Sequence, residues 1–314
     1  MLDTVTRELR ATLRDVEQQT TLLEERHFVA RRHALEVLQR QLLERIENVM
    51  YVHGYCRELA DLYGRVVQLQ QRLEAINAQL FHRLREQLRS SSKPGLVLRH
   101  LCEMYIDPEQ SIPGPLHNDE DDLDGFLNGV LDIGRIPEET CDLQSGMIGY
   151  VPTPARTIFT LLERLHLGVN DVFYDIGAGL GRVALLAGLL TPAHVKGIEI
   201  EPAYCLYAQQ RAASLGLKQV TFLHVDAREA DYTDGNVFFL YTPCTGRMFQ
   251  AVLDRLYTES CQRPITLVTY GLCTEHAAQQ CWLQAAESHI FDHHDVLAVF
   301  TSHEEHCRYQ GVPP

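Results

Sequence analysis

The spacing of the apolar residues changes once along the chain. From Leu2 to about Arg89 apolar side chains recur every three or four positions, which is the spacing of one helix face. Strong helix formers fill the positions between them, and this stretch contains no proline. The clearest run consists of Leu59, Leu62, Val66, Leu69, Leu73, Ile76, Leu80 and Leu84. Such narrow apolar seams predict a coiled-coil-like helical module.

Gly54 is the best place for a break in this module, which predicts two helices of about 48 and 35 residues. The longer helix would extend about 70 Å, and so long an element needs a partner. A hairpin within one chain or a homodimer through the N-terminal helices would supply it. The module then serves as a scaffold or as an arm that recruits a substrate. The segment Ser90-Ser91-Ser92-Lys93-Pro94-Gly95 ends it, so the first predicted domain is 1–95.

From Asp171 onward short apolar runs alternate with helical stretches, which predicts an α/β fold with a parallel sheet and crossover helices. The last two apolar runs are too close for a helical crossover, so we expect an antiparallel hairpin at the edge of the sheet. The predicted strands lie near Val172–Ile176, Val195–Ile200, Val220–Val225, Val237–Tyr241, Ile265–Tyr270, His289–Phe291 and Val296–Thr301. They define a predicted domain at 148–314, with a connecting segment at 96–147.

The connecting segment is strongly acidic. A short helix near Leu96–Tyr105 is followed by a proline-rich loop and by an amphipathic helix that Asn118 and Asp119 open, with one side packed and the other showing its acids. Twelve carboxylates and one Arg lie between Glu103 and Asp142. This surface is interpreted as a solvated face, as a docking surface for a cationic partner or as a lid.

Charge and composition narrow the class of partner. Residues 1–95 hold 15 Lys+Arg against 13 Asp+Glu, whereas the remaining residues hold 13 against 29. An acidic surface repels phosphate backbones, so no nucleic-acid partner is expected. No apolar run reaches the roughly 18 residues of a membrane span and the first residues lack a secretory pattern, so we expect no membrane partner and a cytoplasmic protein. The nine cysteines form no CxxC pair, which favours reduced thiols.

The first strand leads into a turn with three glycines. Asp175 closes the strand, and Gly177, Gly179 and Gly181 follow at alternate positions before a helix. Such a turn lets a nucleotide-like ligand approach backbone N–H groups. Arg182 stands where a dinucleotide fingerprint requires its third glycine, and no Gly-Lys-Ser/Thr follows, so a nicotinamide-dependent oxidoreductase and a P-loop protein are both disfavoured.

The pattern Asp175-x-Gly177-x-Gly179-x-Gly181 resembles motif I of the class I, seven-stranded S-adenosylmethionine-dependent methyltransferases. The resemblance covers about residues 148–302 and implies a Rossmann-like sheet of order 3-2-1-4-5-7-6. It implies S-adenosyl-L-methionine as cofactor and S-adenosyl-L-homocysteine as product. Cofactor contacts are then expected from Asp175 and the three glycines, with Glu199 on the ribose hydroxyls. Asp226 is expected on the adenine amine and Ala227 beside the ring. The segment from Phe238 to Cys244, at the end of the fourth strand, is expected to line the methyl-transfer pocket.

Upstream, Tyr150-Val151-Pro152-Thr153 resembles a segment of seven-stranded protein-lysine methyltransferases, both the non-SET histone-lysine type and a mitochondrial type. It implies contacts from Tyr150 and Thr153 to the amino-acid part of the cofactor. Tyr150, Tyr241 and Tyr270 are candidates to line the pocket, and Tyr241 is our candidate catalytic residue, also counted among the cofactor contacts, positioning the nucleophile by a hydrogen bond. The expected acceptor is an amine, either a protein lysine or a small amine. The alternatives are a small-molecule methyltransferase and a non-catalytic scaffold assembled through the helices.

A metal site is not expected. His303-x-x-His306-Cys307 with His293 or His294 offers ligand types that bind zinc. Their spacing is irregular, however, and methyl transfer from a sulfonium requires no metal. These histidines are therefore interpreted as surface residues.

Overall fold

The computed structural model describes residues 2–106, 120–286 and 297–303. The chain divides into two compact units, one of Met1–Lys93 with Val97–Asp132 and the other of Pro94–Leu96 with Ile133–Pro314. The division of the sequence into 1–95, 96–147 and 148–314 stays a prediction.

The first unit is helical. In the part of the chain that the structure describes, no helix is long and apolar enough to cross a membrane. The α-helices that contribute to this unit are α1 (Leu2–Glu17), α2 (Phe28–Glu36), α3 (Glu44–His53), α4 (Arg57–Ser90), α5 (Pro94–Tyr105) and α6 (Asp122–Leu131), with a 3-10 turn at Thr20–Leu23 and a π-helical stretch at Val37–Leu43. The break at Gly54 is as predicted, with φ +82°, and α4 closely matches the second predicted helix.

The prediction of one unbroken helix before Gly54 is wrong. The chain leaves the α-helix after Glu17 and resumes it at Phe28. Gln18, Gln19, Thr20 and Thr21 interrupt the apolar seam with four polar residues, and the two β-branched threonines among them favour a helix only weakly. The interrupted segment nevertheless contributes to the core through Leu22, which is buried.

Arg31 holds this interruption in place. Its side chain is fully buried. The guanidinium donates to the carbonyl oxygens of Leu22, Glu24 and Glu25 at 3.1, 2.8 and 3.2 Å, and to Asn77 Oδ1 at 2.6 Å. It thus satisfies backbone acceptors that the break leaves without helical partners. Burial lowers the pKa of Arg31.

Not all the acidic residues of helix α6 are exposed to solvent. The prediction that its acids lie on the solvated side is therefore corrected. Asp121 caps it, with its side chain accepting from Asp124 N at 2.8 Å, while Asn118 and Asp119 lie outside the described residues. Asp122 and Asp124 are buried. Asp122 accepts from Arg32 Nη1 at 2.8 Å, so this carboxylate is paired inside the first unit.

The second unit contains a seven-stranded sheet. Its elements are α7 (Ala155–Leu165), β1 (Val172–Ile176), α8 (Arg182–Leu190), β2 (His194–Glu199), α9 (Pro202–Leu215), β3 (Val220–His224), β4 (Val237–Tyr241), α10 (Gly246–Ser260), β5 (Thr266–Tyr270), α11 (Cys273–Ala278), β6 (Leu283–Ala285) and β7 (Leu297–Ser302). The strand order is 3-2-1-4-5-7-6, as predicted. Strands β1 to β5 are parallel, and β7 runs antiparallel to both β5 and β6.

The position predicted for the sixth strand differs from the one observed. Residues 289–291 lie outside the described residues, and the strand that pairs with β7 is Leu283–Ala285. Only Leu283 of this short edge strand is buried, so it carries little of the apolar pattern that predicts a strand. The expected antiparallel pairing at the edge is confirmed.

The strand order of the sheet brings the loops at the carboxyl ends of β1 and β4 next to each other, which is where a ligand site is expected. Buried side chains such as Phe238, Leu240 and Leu267 fill the core on one face, beneath α10. Strands β1 and β4 are neighbours although β2 and β3 lie between them in the chain. Ligands of open parallel sheets bind at such a reversal of strand order, beyond the carboxyl ends of the strands.

The cysteines are free thiols at seven described positions. Cys261 is disulfide-bonded, so the prediction of reduced thiols is wrong there.

We expect replacement of Arg31 by alanine to destabilise the protein by about 2–4 kcal/mol, because one buried and three partly buried acceptors lose their donor. Urea denaturation followed by circular dichroism measures the change. Arg10→Ala is the control, since Arg10 forms a solvent-exposed ion pair with Glu58 that should contribute at most about 1 kcal/mol. Equal effects of the two substitutions would contradict the role given to Arg31.

Candidate functional site

Three glycines after β1 form a tight turn. Gly177, Gly179 and Gly181 have φ values of +81°, +54° and +84°, a region that L-residues with side chains rarely adopt. A Cβ at Gly177 would lie 2.6 Å from Pro243 Cβ, and one at Gly179 would lie 2.5 Å from the Tyr150 ring. Space as well as conformation therefore requires glycine at these positions.

Backbone hydrogen bonds fix this turn to the end of β2. The N–H groups of Gly177 and Ala178 both donate to Ile198 O, at 2.9 and 2.8 Å. Gly179 N donates to Glu199 Oε2 at 2.7 Å, and Glu201 N donates to Glu199 Oε1 at 2.7 Å. Burial raises the pKa of Glu199 despite these donors. The carboxylate retains acceptor capacity for a ligand hydroxyl.

Asp175 lies under the glycine turn. Its buried carboxylate accepts from Ala184 N at 3.2 Å, which ties the end of β1 to the first turn of α8. Burial raises the pKa of Asp175 to about 7. A cationic group bound beside it would favour the ionised form.

A cavity of about 440 Å³ opens at this end of the sheet. This volume lies within the range of about 300–1,000 Å³ typical of small-molecule sites. It brings together nine of the ten predicted site residues: Tyr150, Thr153, Asp175, Gly177, Gly179, Glu199, Asp226, Ala227 and Tyr241. Gly181 does not line the cavity. A Cβ there would lie 2.6 Å from the Phe222 ring, so this glycine allows close packing behind the site.

Residues 139–153 cross the cavity and are called the strap. Glu201, two residues beyond β2, holds its first part: the carboxylate accepts from Thr140 N at 3.0 Å, from Thr140 Oγ1 at 2.6 Å and from Cys141 N at 3.0 Å. Burial opposes the charge of Glu201, but these donors outweigh it and hold its pKa below the usual range. The sequence analysis missed Glu201; its place immediately before Pro202 is a signal for a helix cap, which it also provides to α9.

The middle of the strap is held from β3 and β4. Arg228 Nη2 donates to Gln144 Oε1 at 3.2 Å, and Arg228 Nε donates to Asp226 Oδ1 at 3.0 Å. The hydrogen bond from Arg228 lowers the pKa of Asp226. Ile148 N donates to Pro243 O at 3.2 Å. The strap is thus attached to the loops that follow three different strands.

Two aromatic rings cover the glycine turn. Tyr150 of the strap meets Tyr204 of α9 edge to face, with ring centroids 5.8 Å apart. The Tyr204 hydroxyl donates to Glu139 Oε1 at 2.9 Å, and burial raises the pKa of this phenol. Tyr204 also lines the cavity, although the sequence analysis did not select it.

Tyr241 lies at the other side of the cavity, at the end of β4. Its ring packs against Tyr270 with centroids 4.8 Å apart. Tyr270, which the sequence analysis proposed as a lining residue, is buried behind Tyr241 and does not line the cavity.

The residue after Tyr241 has an unusual backbone. Thr242 has φ +37°, a strained value for a β-branched residue. Thr242 Oγ1 donates to Tyr270 O and accepts from Cys273 N, both at 3.2 Å. Gly271 lies so close that a Cβ would be 2.8 Å from Thr242 Oγ1. These contacts join the loops after β4 and β5 and fix the direction of Tyr241. No single-residue signal in the sequence indicates this strain.

Cysteine and histidine chemistry find little support at this site. Burial raises the pKa of the Cys244 thiol to about 11, so it is protonated at neutral pH and a poor nucleophile. Within the described residues, no group of three His, Cys, Asp or Glu side chains is arranged to hold a metal ion. The residues His289, His293, His294, His306 and Cys307 lie outside that range.

Part of the chain that lines the cavity is similar in sequence to a known protein family. Residues 149–239 match the family model of the histone methylation protein DOT1. This match confirms the resemblance to seven-stranded protein-lysine methyltransferases. It begins in the strap and ends in β4, so it contains most of the residues that line the cavity.

A curated relative is the H3 lysine-79-specific histone-lysine N-methyltransferase of Dictyostelium discoideum. It is 30% identical over 116 residues in an alignment that covers 31% of this chain, and the chain spans only 6% of the length of that relative. Similar solved structures include an RNA methyltransferase from Salinibacter ruber in complex with S-adenosyl-L-homocysteine, at 23% identity, with 48% of this chain and 92% of that chain covered and a TM-score of 0.36. Another is a precorrin-6y C5,15-methyltransferase from Geobacter metallireducens, at 21% identity, with 49% and 90% covered and a TM-score of 0.37.

We expect Asp175 to lower the stability of the folded protein as the pH rises. Its pKa of about 7 exceeds the value of about 4 in an unfolded chain, so the folded state binds more protons between these values. The stabilisation is complete below about pH 4 and is lost as the pH rises through about 7. Asp175→Asn stays neutral, so its melting temperature relative to wild type should be higher at pH 8 than at pH 5. Thermal melts at both pH values test this; an equal difference at both would contradict it.

Proposed function

We propose that this protein is an S-adenosyl-L-methionine-dependent methyltransferase that acts on an amine, with a protein lysine as the favoured acceptor. The observation that carries the proposal is the cavity at the glycine turn, where nine of the ten residues chosen from the sequence meet. The match of residues 149–239 to a family of histone methylation proteins supports it independently.

The residues of the cavity fit this cofactor. The left-handed glycines present the backbone without side chains, so a ligand can approach closely. Glu199 offers two adjacent oxygens to a ribose diol, and Asp226 offers an ionised carboxylate to the adenine amine. Asp175, at the glycine turn, suits the cationic amino-acid end, which Tyr150 and Thr153 would enclose.

The chemistry needs alignment more than acid or base strength. The bound cofactor supplies an electrophilic methyl group on a sulfonium, which is displaced in line by the acceptor nitrogen. The chain contributes a cavity with largely apolar walls, in which an uncharged amine is favoured over an ammonium ion. Tyr241, fixed by the Tyr270 ring and the strained Thr242, would orient the acceptor nitrogen through its hydroxyl.

Two alternative functions are a small-molecule methyltransferase and a non-catalytic scaffold. A small-molecule methyltransferase would share the cofactor site and differ only in the acceptor. A non-catalytic scaffold would assemble through the N-terminal helices, whose dimerisation and coiled-coil pairing remain proposals. Binding of the cofactor without transfer to any acceptor would favour the scaffold.

Gly179→Ala should weaken the binding of S-adenosyl-L-methionine and S-adenosyl-L-homocysteine at least about ten-fold, because a side chain is strained at φ +54° and meets the Tyr150 ring. Isothermal titration calorimetry of both ligands measures this. Gly134→Ala is the matched control, since a Cβ there meets nothing within 4 Å. If the wild-type protein binds neither ligand, the proposed cofactor site is wrong.

Tyr241→Phe should lower kcat about ten-fold or more and leave the Kd for S-adenosyl-L-homocysteine within about two-fold, because it removes the hydroxyl and keeps the ring on Tyr270. Transfer of labelled methyl groups to recombinant histone octamers and nucleosomes is the assay. Tyr257→Phe, which lies on α10 away from the cavity, serves as control. A parallel loss of turnover and cofactor affinity would instead assign Tyr241 a structural role.

A further inference from the structure

The mouth of the cavity carries large apolar side chains in contact with solvent. Leu143, Ile148, Val151 and Leu272 line the cavity and are nevertheless 54%, 44%, 44% and 55% exposed. We call these four residues the collar. Single exposed apolar residues are common on protein surfaces, but a group of them around one opening marks an interaction site.

Hydrogen bonds that hold the strap keep the collar side chains exposed. A loose loop would turn such side chains inward, but the strap is attached on both sides of Leu143, at Cys141 by Glu201 and at Gln144 by Arg228. Ile148 is fixed by its own N–H, which donates to Pro243 O. The backbone therefore holds these apolar groups outward.

Leu272 is fixed in the same way from the opposite loop. It lies between Gly271, whose φ of +85° bends the chain, and Cys273, whose N–H donates to Thr242 Oγ1. The collar thus has rigid walls from two separate parts of the second unit.

The charges at the mouth favour a cationic partner. Glu139 and Asp142 line the cavity and are exposed. Among the described residues two arginines line the cavity, and both are engaged. Buried Arg182 donates to Thr153 O at 3.1 Å, and Arg228 is paired with Asp226. The chain as a whole has a formal charge of −14. A phosphate-rich partner is therefore repelled, and an amine is attracted.

We propose that the collar docks the apolar side chains that flank the acceptor lysine in a polypeptide. This inference rests on the proposed function and adds a rule of sequence preference to it. A small free amine could enter the cavity without covering the exposed parts of the four collar residues at its opening. A lysine between aliphatic residues places its stem in the cavity and its neighbours on the collar, so both surfaces lose contact with water.

Two fluorescein-labelled peptides of eleven residues and equal charge test the proposal. Each carries one central lysine, flanked on both sides by leucine and valine in one peptide and by serine in the other. Fluorescence anisotropy with the full chain, in the presence of saturating S-adenosyl-L-homocysteine, should show about ten-fold tighter binding of the apolar-flanked peptide. The double variant Leu143→Ser with Leu272→Ser should reduce this preference to about two-fold or less.

Leu206→Ser is the matched control, because Leu206 is 56% exposed on α9 and does not line the cavity. It should keep the wild-type preference. Equal binding of the two peptides by the wild type would overturn the proposal, as would an unchanged preference in the double variant; a collar covered by another part of this chain would give the first result. Binding of S-adenosyl-L-homocysteine is measured separately by calorimetry, so its absence would reject the proposed function rather than the collar alone.

Discussion

The candidate site depends on how the glycine turn after β1 is bonded to the end of β2. Two consecutive N–H groups share Ile198 O, and the third reaches the Glu199 carboxylate. These bonds require left-handed glycines at 177 and 179, since Pro243 and the Tyr150 ring occupy the space of any side chain. The turn thereby fixes the acid of β2, the loop after β4 and the strap in one arrangement. A cavity with defined walls follows from this single constraint.

The glycine turn was predicted from a local pattern, and the family resemblance added the residues expected around it. Asp175 and the glycines form a short motif with a physical reason for each residue, and Glu199 follows at the end of the next strand. The family resemblance assigned Glu199 and Asp226 to the same site, and the parallel strands do bring their carboxyl ends together there. The strand order was supplied by the family resemblance and not by periodicity, which cannot distinguish neighbours in a sheet. The sixth strand was misplaced because its three residues carry almost no pattern.

The missed features are those that depend on tertiary contacts. One helix was predicted across residues 18–27, whereas the break there is stabilised by the buried guanidinium of Arg31, which lies later in the chain. Glu201 looks like an ordinary helix cap until the strap donates three hydrogen bonds to it. The strain at Thr242 is held by Tyr270 and Cys273, which are about thirty residues away. Residues with a local role, such as caps and turn glycines, are predictable from the sequence, whereas residues whose contacts form only in the folded chain are not.

The separation of charge from the apolar walls has a chemical consequence for an amine acceptor. An ammonium ion approaching the protein is attracted by carboxylates, but a carboxylate inside the pocket would also stabilise the protonated, unreactive form. Here the exposed acids Glu139 and Asp142 lie at the mouth, whereas Tyr241 and Phe239 line the interior. Attraction can thus act before entry, and desolvation can favour loss of the proton after it. Three buried acids also line the cavity. Glu199 and Glu201 accept backbone N–H groups, and Asp175 lies at the glycine turn, where a positive charge on a bound cofactor would offset its own.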